Sequence, residues 1–223
     1  MHRRYADRAD AGRALADALL HYAGAASGVV LALPRGGVPV AAPVAEALQL
    51  PLDVVMVRKL GLPGHAQLAM GAIAAVGSDI HEVRNEQVLA HSAVSDAEFT
   101  VARRREEAEL RRRAAALRGV RPPPPLTGLV VLVDDGLATG ATMFAAVTAV
   151  RAAQRSAEPA AAGVLVVAVP VGSGDTCRQL LQEVDDVICL WLPLPFGAVS
   201  EAYRDFTQTS DEEVIALLGR ARG

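Results

Sequence analysis

The stretch VVLVDDGLATGAT, Val130 to Thr142, joins four aliphatic residues to two adjacent acids and a run of small and hydroxylated residues. An apolar run that is bounded by turn residues predicts a buried strand, so Asp134 and Asp135 should follow the carboxyl end of that strand. Ligands of α/β proteins bind at this edge of the sheet. Because two neighbouring carboxylates repel each other, we expect both acids to face a ligand.

The residues after the acids lie between the predicted strand and a helix predicted at about 140–155. Backbone N–H groups at such a helix N-terminus can converge on an anion, and Gly140 permits a close approach. The stretch lacks the G-K-[ST] ending of a Walker A loop and the G-x-G-x-x-G pattern of dinucleotide folds, which disfavours nucleoside triphosphates and NAD. A phosphate cradle next to two carboxylates suits a ribose 5-phosphate, whose hydroxyls can donate to the acids. The candidate phosphate-binding residues are Ala138, Thr139, Gly140, Ala141 and Thr142.

Length and composition are typical of a soluble globular protein. With 223 residues, 52% of them hydrophobic and 21% charged, the chain is expected to form one domain, 1–223. No apolar run approaches the length of a membrane span, and no signal-peptide pattern follows the N-terminus, so a cytoplasmic protein without membrane contacts is predicted. A net charge of −3 disfavours nucleic acid as a partner. The two cysteines, Cys177 and Cys189, are too few for a zinc site and are expected to stay reduced.

Most of the chain alternates strand and helix patterns, which predicts an α/β fold with a mostly parallel, twisted sheet flanked by helices. The predicted strands are 28–33, 52–57, 130–133, 163–169 and 187–191. The predicted helices are 7–23, one that runs through Val44 and Leu48, 140–155, 175–183 and a last one that begins at the Ser210–Glu213 capping box.

The middle of the chain departs from this alternation. The segment RKLGLPGHAQL (58–68) contains two glycines and a proline, which predicts a mobile loop, and the stretches after it predict a hairpin turned at Gly77–Ser78. Ser95 and Glu98 form a capping box at the start of a helix with many arginines. These arginines could grip an anion, but the Glu–Arg pairs at i,i+4 favour a solvated face with ion pairs. The hairpin and the helix together form a predicted insertion, about 77–120.

VVLVDDGLATGAT resembles the 5-phosphoribosyl-1-pyrophosphate (PRPP) signature of type I phosphoribosyltransferases, which consists of four aliphatic residues, two acids, three variable positions and T-G-x-T. The resemblance extends over about 28–60 and 128–192 and includes no nucleobase signature. It implies an enzyme that moves the 5-phosphoribosyl group from PRPP to a nitrogen acceptor, expected to be a nucleobase, and releases pyrophosphate. It also implies that Asp134 and Asp135 hold the ribose hydroxyls, and that Mg²⁺, bound mainly by substrate oxygens, meets these acids through water.

The turn in LALPRGGVPVA takes the place of the family's pyrophosphate-binding turn, which uses backbone amides and often a cis peptide bond that does not precede proline. The resemblance implies that Arg35, Gly36 and Gly37 bind pyrophosphate, with the cis bond at Pro34–Arg35 or Arg35–Gly36. On its own, R-G-G is equally typical of an ordinary glycine turn.

RKLGLPGHAQLAM takes the place of the flexible loop that closes over the reacting centre in this family. The reaction passes through an oxocarbenium-like state at C1′, and a closed loop keeps water away from it. The resemblance implies that Arg58, Lys59 and His65 act with the acid pair in catalysis by neutralising the departing pyrophosphate. For His65, an ordinary exposed loop histidine is an equal alternative.

A hood over the acceptor base is expected from the 77–120 insertion and from the segment PLPFGAVSEAYRDF (193–206). Phe196 is a candidate to stack on the base and Tyr203 to line its pocket, although aromatic side chains pack in cores more often than they bind ligands. Ala138 stands where oxopurine-specific relatives usually carry an acid, which argues against hypoxanthine or guanine as the acceptor.

Two classes of function remain open at this point: a phosphoribosyltransferase, or a regulatory protein that binds PRPP without turnover. The Arg58–Lys59 pair and the glycine-rich loop favour the enzyme. Assembly as a homodimer is also left open.

Overall fold

A computed structural model of the chain describes residues 5–63, 65–76, 79–92, 94–119, 124–157 and 163–220, and the side chains at 65–67, 118 and 156–157 lie outside this description. The strands are β1 (Gly28–Ala32), β2 (Leu52–Val54), β3 (Met56–Leu62), β4 (His65–Val76), β5 (Asp79–Arg84), β6 (Leu129–Val133), β7 (Leu165–Val169) and β8 (Asp186–Cys189). The helices are α1 (Arg8–Leu19), α2 (Gly37–Leu48), α3 (Glu86–Ala90), α4 (Asp96–Arg118), α5 (Ala141–Ala157), α6 (Gly174–Leu180) and α7 (Asp211–Arg220).

The central sheet is parallel and has the strand order β2–β1–β6–β7–β8. All five residues of β6 are buried, as expected of a strand that helices cover on both faces. Val131 and Val133 pack into a core cluster with α1 and α2, whereas Val130 and Leu132 pack into a second cluster with α5 and α6. This arrangement confirms the predicted α/β class and the parallel sheet.

A second sheet is antiparallel and has the order β3–β4–β5. The prediction of one strand at 52–57 was wrong, because β2 ends at Val54 and Met56 already pairs with Ala75 in the second sheet. The predicted hairpin is confirmed by the pairing of Val76 with Asp79, although its turn at Gly77–Ser78 lies outside the described residues.

The predicted mobile loop at 58–68 is also different in the structure. Strand β3 continues to Leu62, which pairs with His65, so most of this segment forms a hairpin with an irregular register around Gly61. The hairpin satisfies backbone hydrogen-bonding groups within the protein that a loop would leave to water. Of the residues that suggested a loop, Gly61 lies within β3 at the irregular register, and Pro63 directly follows the end of that strand.

Helix α4 begins at the predicted capping box, in which Ser95 and Glu98 bond to each other's backbone N–H. Its acids form ion pairs on the helix surface: Glu107 with Arg103 and Arg111, and Glu109 with Arg112 and Arg113. These contacts agree with the predicted ion-paired face. Among the described residues, no helix has the length and the apolar composition needed to cross a membrane.

Candidate functional site

The two acids lie next to the R-G-G turn, because the strands that lead to them are neighbours in the sheet. Ala32, the last residue of β1, pairs with Val133, the last residue of β6, and the Leu33 N–H donates to the Val133 carbonyl at 2.9 Å. A Cβ added to Gly36 would lie well inside 3.0 Å of Asp135 Oδ2, a distance that real Cβ contacts essentially never show. The acid pair and the R-G-G turn, which were predicted from separate motifs, therefore lie side by side.

The turn itself has the predicted cis bond, which lies between Pro34 and Arg35. Helix α2 starts immediately after it, at Gly37, whose N–H donates to the Leu33 carbonyl at 3.0 Å. A Cβ added to Gly37 would approach the Val133 carbonyl oxygen to 2.7 Å, so both glycines are required by the close approach of the turn to the acid pair. The Arg35 guanidinium points to α7, where its Nη1 lies 3.6 Å from Asp211 Oδ1.

Each of the two acids has one oxygen that is bonded within the protein. Asp134 Oδ1 accepts from the Asp135 N–H at 2.8 Å, and Asp135 Oδ2 accepts from Arg8 Nε at 2.8 Å. Burial raises the pKa of Asp134 well above its ordinary value, and the charge of Asp135 raises this pKa further. Burial also raises the pKa of Asp135, while the hydrogen bond from Arg8 opposes that increase.

Arg8 lies at the candidate site through its contact with Asp135, and it was not predicted from the sequence. It is the first residue of α1 and stands 127 positions before Asp135 in the chain. Its Nη1 also donates to the Thr207 carbonyl at 2.7 Å, and its guanidinium carbon lies 3.9 Å from the centre of the Phe206 ring. Basic residues near an N-terminus are common, so no local pattern marks this arginine.

Arg8 belongs to a small structure that we call the clasp, formed by residues 5–8 and 202–207. The backbones of its two segments pair, since the Tyr5 N–H donates to the Ala202 carbonyl and the Arg204 N–H donates to the Tyr5 carbonyl, both at 2.8 Å. The hydroxyl of Tyr203 donates to the backbone carbonyl of Asp135 at 2.5 Å. The clasp therefore supports the acid pair from two sides.

Tyr203 and Phe196, the two aromatic residues that were predicted to line the base pocket, both pack at or next to the clasp. Tyr203 is only 4% exposed and packs against Tyr5 in a small core cluster. Phe196 is half-buried and packs against the same cluster. The structure thus places both rings in packing positions, which was the alternative to the predicted contact with a base.

The predicted phosphate cradle lies at the start of α5. Ala138, Thr139, Ala141 and Thr142 are exposed, and the first N–H groups of a helix lack intrahelical partners. Gly140 has φ +74°, and a Cβ added there would lie 2.5 Å from Thr176 Cγ2. The Thr176 hydroxyl donates to the Ala138 carbonyl at 2.7 Å, so helix α6 holds the cradle in place.

The structure separates the two cations of the hairpin. Successive residues of a strand face opposite sides of the sheet, so Arg58 and Lys59 diverge. Arg58 is bonded to Glu106 of α4, with Nε donating to Oε2 at 2.8 Å. Lys59 lines a cavity of about 520 Å³ between the second sheet and α5, together with Thr142 and Phe144 of the cradle helix.

Between Arg58 and Lys59, it is therefore Lys59 that lines a cavity together with residues of the cradle. Sequence reasoning had no signal for the Arg58–Glu106 pair, because 48 residues separate the two. The side chain of His65 lies outside the described part of the structure.

Comparisons with known proteins extend over the whole chain. The crystal structure of TT1426 from Thermus thermophilus is 40% identical to it, with a TM-score of 0.80, and the match covers 99% of this chain and 100% of that one. "Putative phosphoribosyl transferase MT0597" and "Putative phosphoribosyl transferase Rv0571c", both of Mycobacterium tuberculosis, are each 48% identical over 216 residues, or 96% of this chain. The match covers 46% of each, so the chain spans about half the length of these curated relatives. No protein-family profile matches the sequence.

Proposed function

We propose that the chain is a type I phosphoribosyltransferase, an enzyme that transfers the 5-phosphoribosyl group of PRPP to a nitrogen acceptor and releases pyrophosphate, and the two curated relatives, each named a putative phosphoribosyl transferase, support this proposal. One observation carries this proposal: Gly36 of the R-G-G turn lies directly against Asp135 of the acid pair. Because the acids also precede the cradle by only a few residues, the three binding elements can engage one molecule of PRPP at the same time.

The parts of PRPP are assigned by charge and by hydrogen-bonding capacity. The 5′-phosphate binds at the N-terminus of α5, where free N–H groups and the helix dipole favour an anion. The ribose hydroxyls donate to Asp134 and Asp135, each of which carries a second carboxylate oxygen besides the one that is bonded within the protein. The pyrophosphate then lies over the turn at Arg35–Gly36, at the carboxyl end of β1.

Lys59 is the residue that we assign to the departing pyrophosphate. It lines the cavity next to the cradle together with Thr142, and its role at the pyrophosphate is the one that the family resemblance implies; Arg58 is bonded to Glu106. A cation near a leaving group stabilises the negative charge that develops as the bond to C1′ breaks. In this assignment Arg58 holds the hairpin against α4 instead of contacting the substrate.

The acid pair also fits Mg²⁺ as a cofactor, because carboxylates are the hard oxygen donors that this ion prefers. Among the residues that the structure describes, no group of three or more His, Cys, Asp or Glu side chains could hold a metal ion. We therefore expect Mg²⁺ to take most of its ligands from PRPP and water and to reach the acids through water. When bound, Mg²⁺ neutralises charge on the leaving pyrophosphate.

The acceptor is proposed to be a nucleobase or another small nitrogen compound. An alanine, Ala138, stands at the position where an acid is expected for an oxopurine, and this residue is exposed at the start of the cradle. We therefore expect adenine or a smaller amine to be accepted before hypoxanthine or guanine.

The test is to incubate the protein with labelled PRPP, Mg²⁺ and a panel of purines, pyrimidines and small amides, and to measure pyrophosphate release. The proposal predicts release that depends on one class of acceptor and is lost when Asp134 and Asp135 are both changed to Asn. Asp17→Asn, at an exposed acid of α1, is the matched control and should retain the release. Binding of PRPP without release for any acceptor would contradict the enzyme and favour a regulatory PRPP-binding protein.

A further inference from the structure

The Arg8 side chain is held rigidly although it comes from the first turn of a surface helix. It is only 11% exposed, and its bonds to Asp135 and to the Thr207 carbonyl are 2.8 and 2.7 Å long. The planar guanidinium also stacks on the Phe206 ring at 3.9 Å. Contacts in several directions leave a guanidinium with a single orientation, which a lysine could not reproduce.

Arg8 and the R-G-G turn both contact Oδ2 of Asp135. Oδ2 of Asp135 lies between Arg8 and the backbone of Gly36, where an added Cβ would also come within 3.2 Å of Arg8 Nε. The backbone carbonyl of the same residue accepts from the Tyr203 hydroxyl. The clasp thus restrains Asp135 at both its side chain and its main chain.

The neighbouring charge explains why such a restraint is needed. Asp134 and Asp135 are adjacent and partly buried, and two carboxylates in such a place repel each other. A cation bound to one carboxylate counteracts this repulsion, and Arg8 is the cation that the structure pairs with Asp135.

We propose that Arg8 is a positioning residue for the sugar site, which holds Asp135 by Oδ2 so that Oδ1 accepts a ribose hydroxyl of PRPP. The inference rests on the proposed function, since it assigns Arg8 to the binding of the same substrate. It goes further in making residues 5–8, outside every motif of the family resemblance, a part of substrate recognition. Arg8 acts through Asp135 and does not touch the substrate itself.

The experiment is a double-mutant cycle on PRPP binding, measured by titration calorimetry in the presence of Mg²⁺ with the full chain. Arg8→Met should weaken the affinity about tenfold or more, which corresponds to about 1.4 kcal/mol. In an Asp135→Asn background the same change should weaken it less than twofold, because Arg8 then has no carboxylate to position. Arg8→Lys should show an intermediate loss, and Arg13→Met, at an exposed arginine of the same helix, should show none.

A merely structural role would give a different pattern. If Arg8 only stabilised the fold, the losses from Arg8→Met and Asp135→Asn would add in the double variant, and that result would overturn the inference. Equal affinity of Arg8→Met and the unaltered protein would also overturn it while the proposed function stands. If the unaltered protein bound no PRPP, the proposed function would fail, and the role of Arg8 would fail with it.

A variant that does not fold would not prevent the test. If circular dichroism shows that Arg8→Met is unfolded, the PRPP affinity of Arg8→Lys is measured instead, with and without Asp135→Asn. An intermediate loss that disappears in the Asn background supports the inference, whereas unchanged affinity of Arg8→Lys overturns it.

Discussion

Gly36→Ala is expected to disrupt the sugar site without changing the backbone of the turn. Gly36 has φ −59° and ψ −33°, a conformation that alanine adopts readily. The added Cβ, however, would collide with the Asp135 carboxylate and would lie 3.2 Å from Arg8 Nε. The carboxylate must therefore move away from its ion pair with Arg8.

The size of the effect follows from these contacts. Alanine in a compatible conformation stabilises by about 0.4–1 kcal/mol, but crowding in a packed region costs about 1–3 kcal/mol, so the net loss lies between about 0 and 2.6 kcal/mol, with a central value of about 1.3 kcal/mol. In a domain of this size, the central value lowers Tm by about 3–5 °C. A displaced Asp135 also loses a charge-assisted hydrogen bond to the ribose, worth about 1.5–3 kcal/mol, which weakens PRPP binding about 10- to 150-fold.

Calorimetric titration with PRPP and Mg²⁺, together with a thermal melt, measures both effects. Gly174→Ala is a suitable control, because a Cβ at this first residue of α6 would have its nearest neighbour 3.5 Å away, an ordinary contact distance. If Gly36→Ala bound PRPP as tightly as the unaltered protein while the control behaved normally, the contact between the turn and the acid pair would not matter for binding.

Three further changes test other parts of the site. Asp134→Asn combined with Asp135→Asn should abolish PRPP binding in a titration and leave the chain folded, because burial raises both pKa values, so the folded state disfavours the two charges that are removed, and this offsets the loss of the Arg8–Asp135 ion pair. Gly140→Val should lower both turnover and Tm, since φ of +74° is strained for a β-branched residue by roughly 1–3 kcal/mol, and normal turnover would contradict the cradle geometry. Lys59→Met should lower kcat about 10- to 100-fold, whereas Arg58→Met should mainly lower Tm by breaking its ion pair with Glu106; the reverse outcome would exchange their roles.

Several features were predictable from short segments of the chain. The buried strand before Asp134 and the capping box at Ser95 were expected and are present, and the cis bond, expected at Pro34–Arg35 or Arg35–Gly36, is found at the first of these positions. In the first two cases the signal lies within a few residues, because a strand needs a short apolar run and a helix start needs one polar side chain. The cis bond was expected from the family resemblance alone.

The hairpin formed by β3 and β4 is a feature that local sequence signals did not predict. Glycine and proline at 61–64 suggested a loop, yet the backbone on both sides found partners in an antiparallel pair. The pairing also sent Arg58 and Lys59 to opposite faces, although the two residues are adjacent and were expected to act together. Side-chain direction in a strand depends on register, and register is set by the partner strand.

Short-range sequence patterns thus sufficed for the sheet class, for the position of the acid pair after a buried strand and for the turn before α5, because hydrophobic periodicity and turn chemistry act over a few residues. The ion pairs of Asp135 with Arg8 and of Arg58 with Glu106 join residues 127 and 48 positions apart. Such contacts depend on how helices pack against the sheet, which brings distant charges together without any trace in the local pattern. The ion pairs that surround the site therefore could not be predicted from local sequence, and only the tertiary structure shows them.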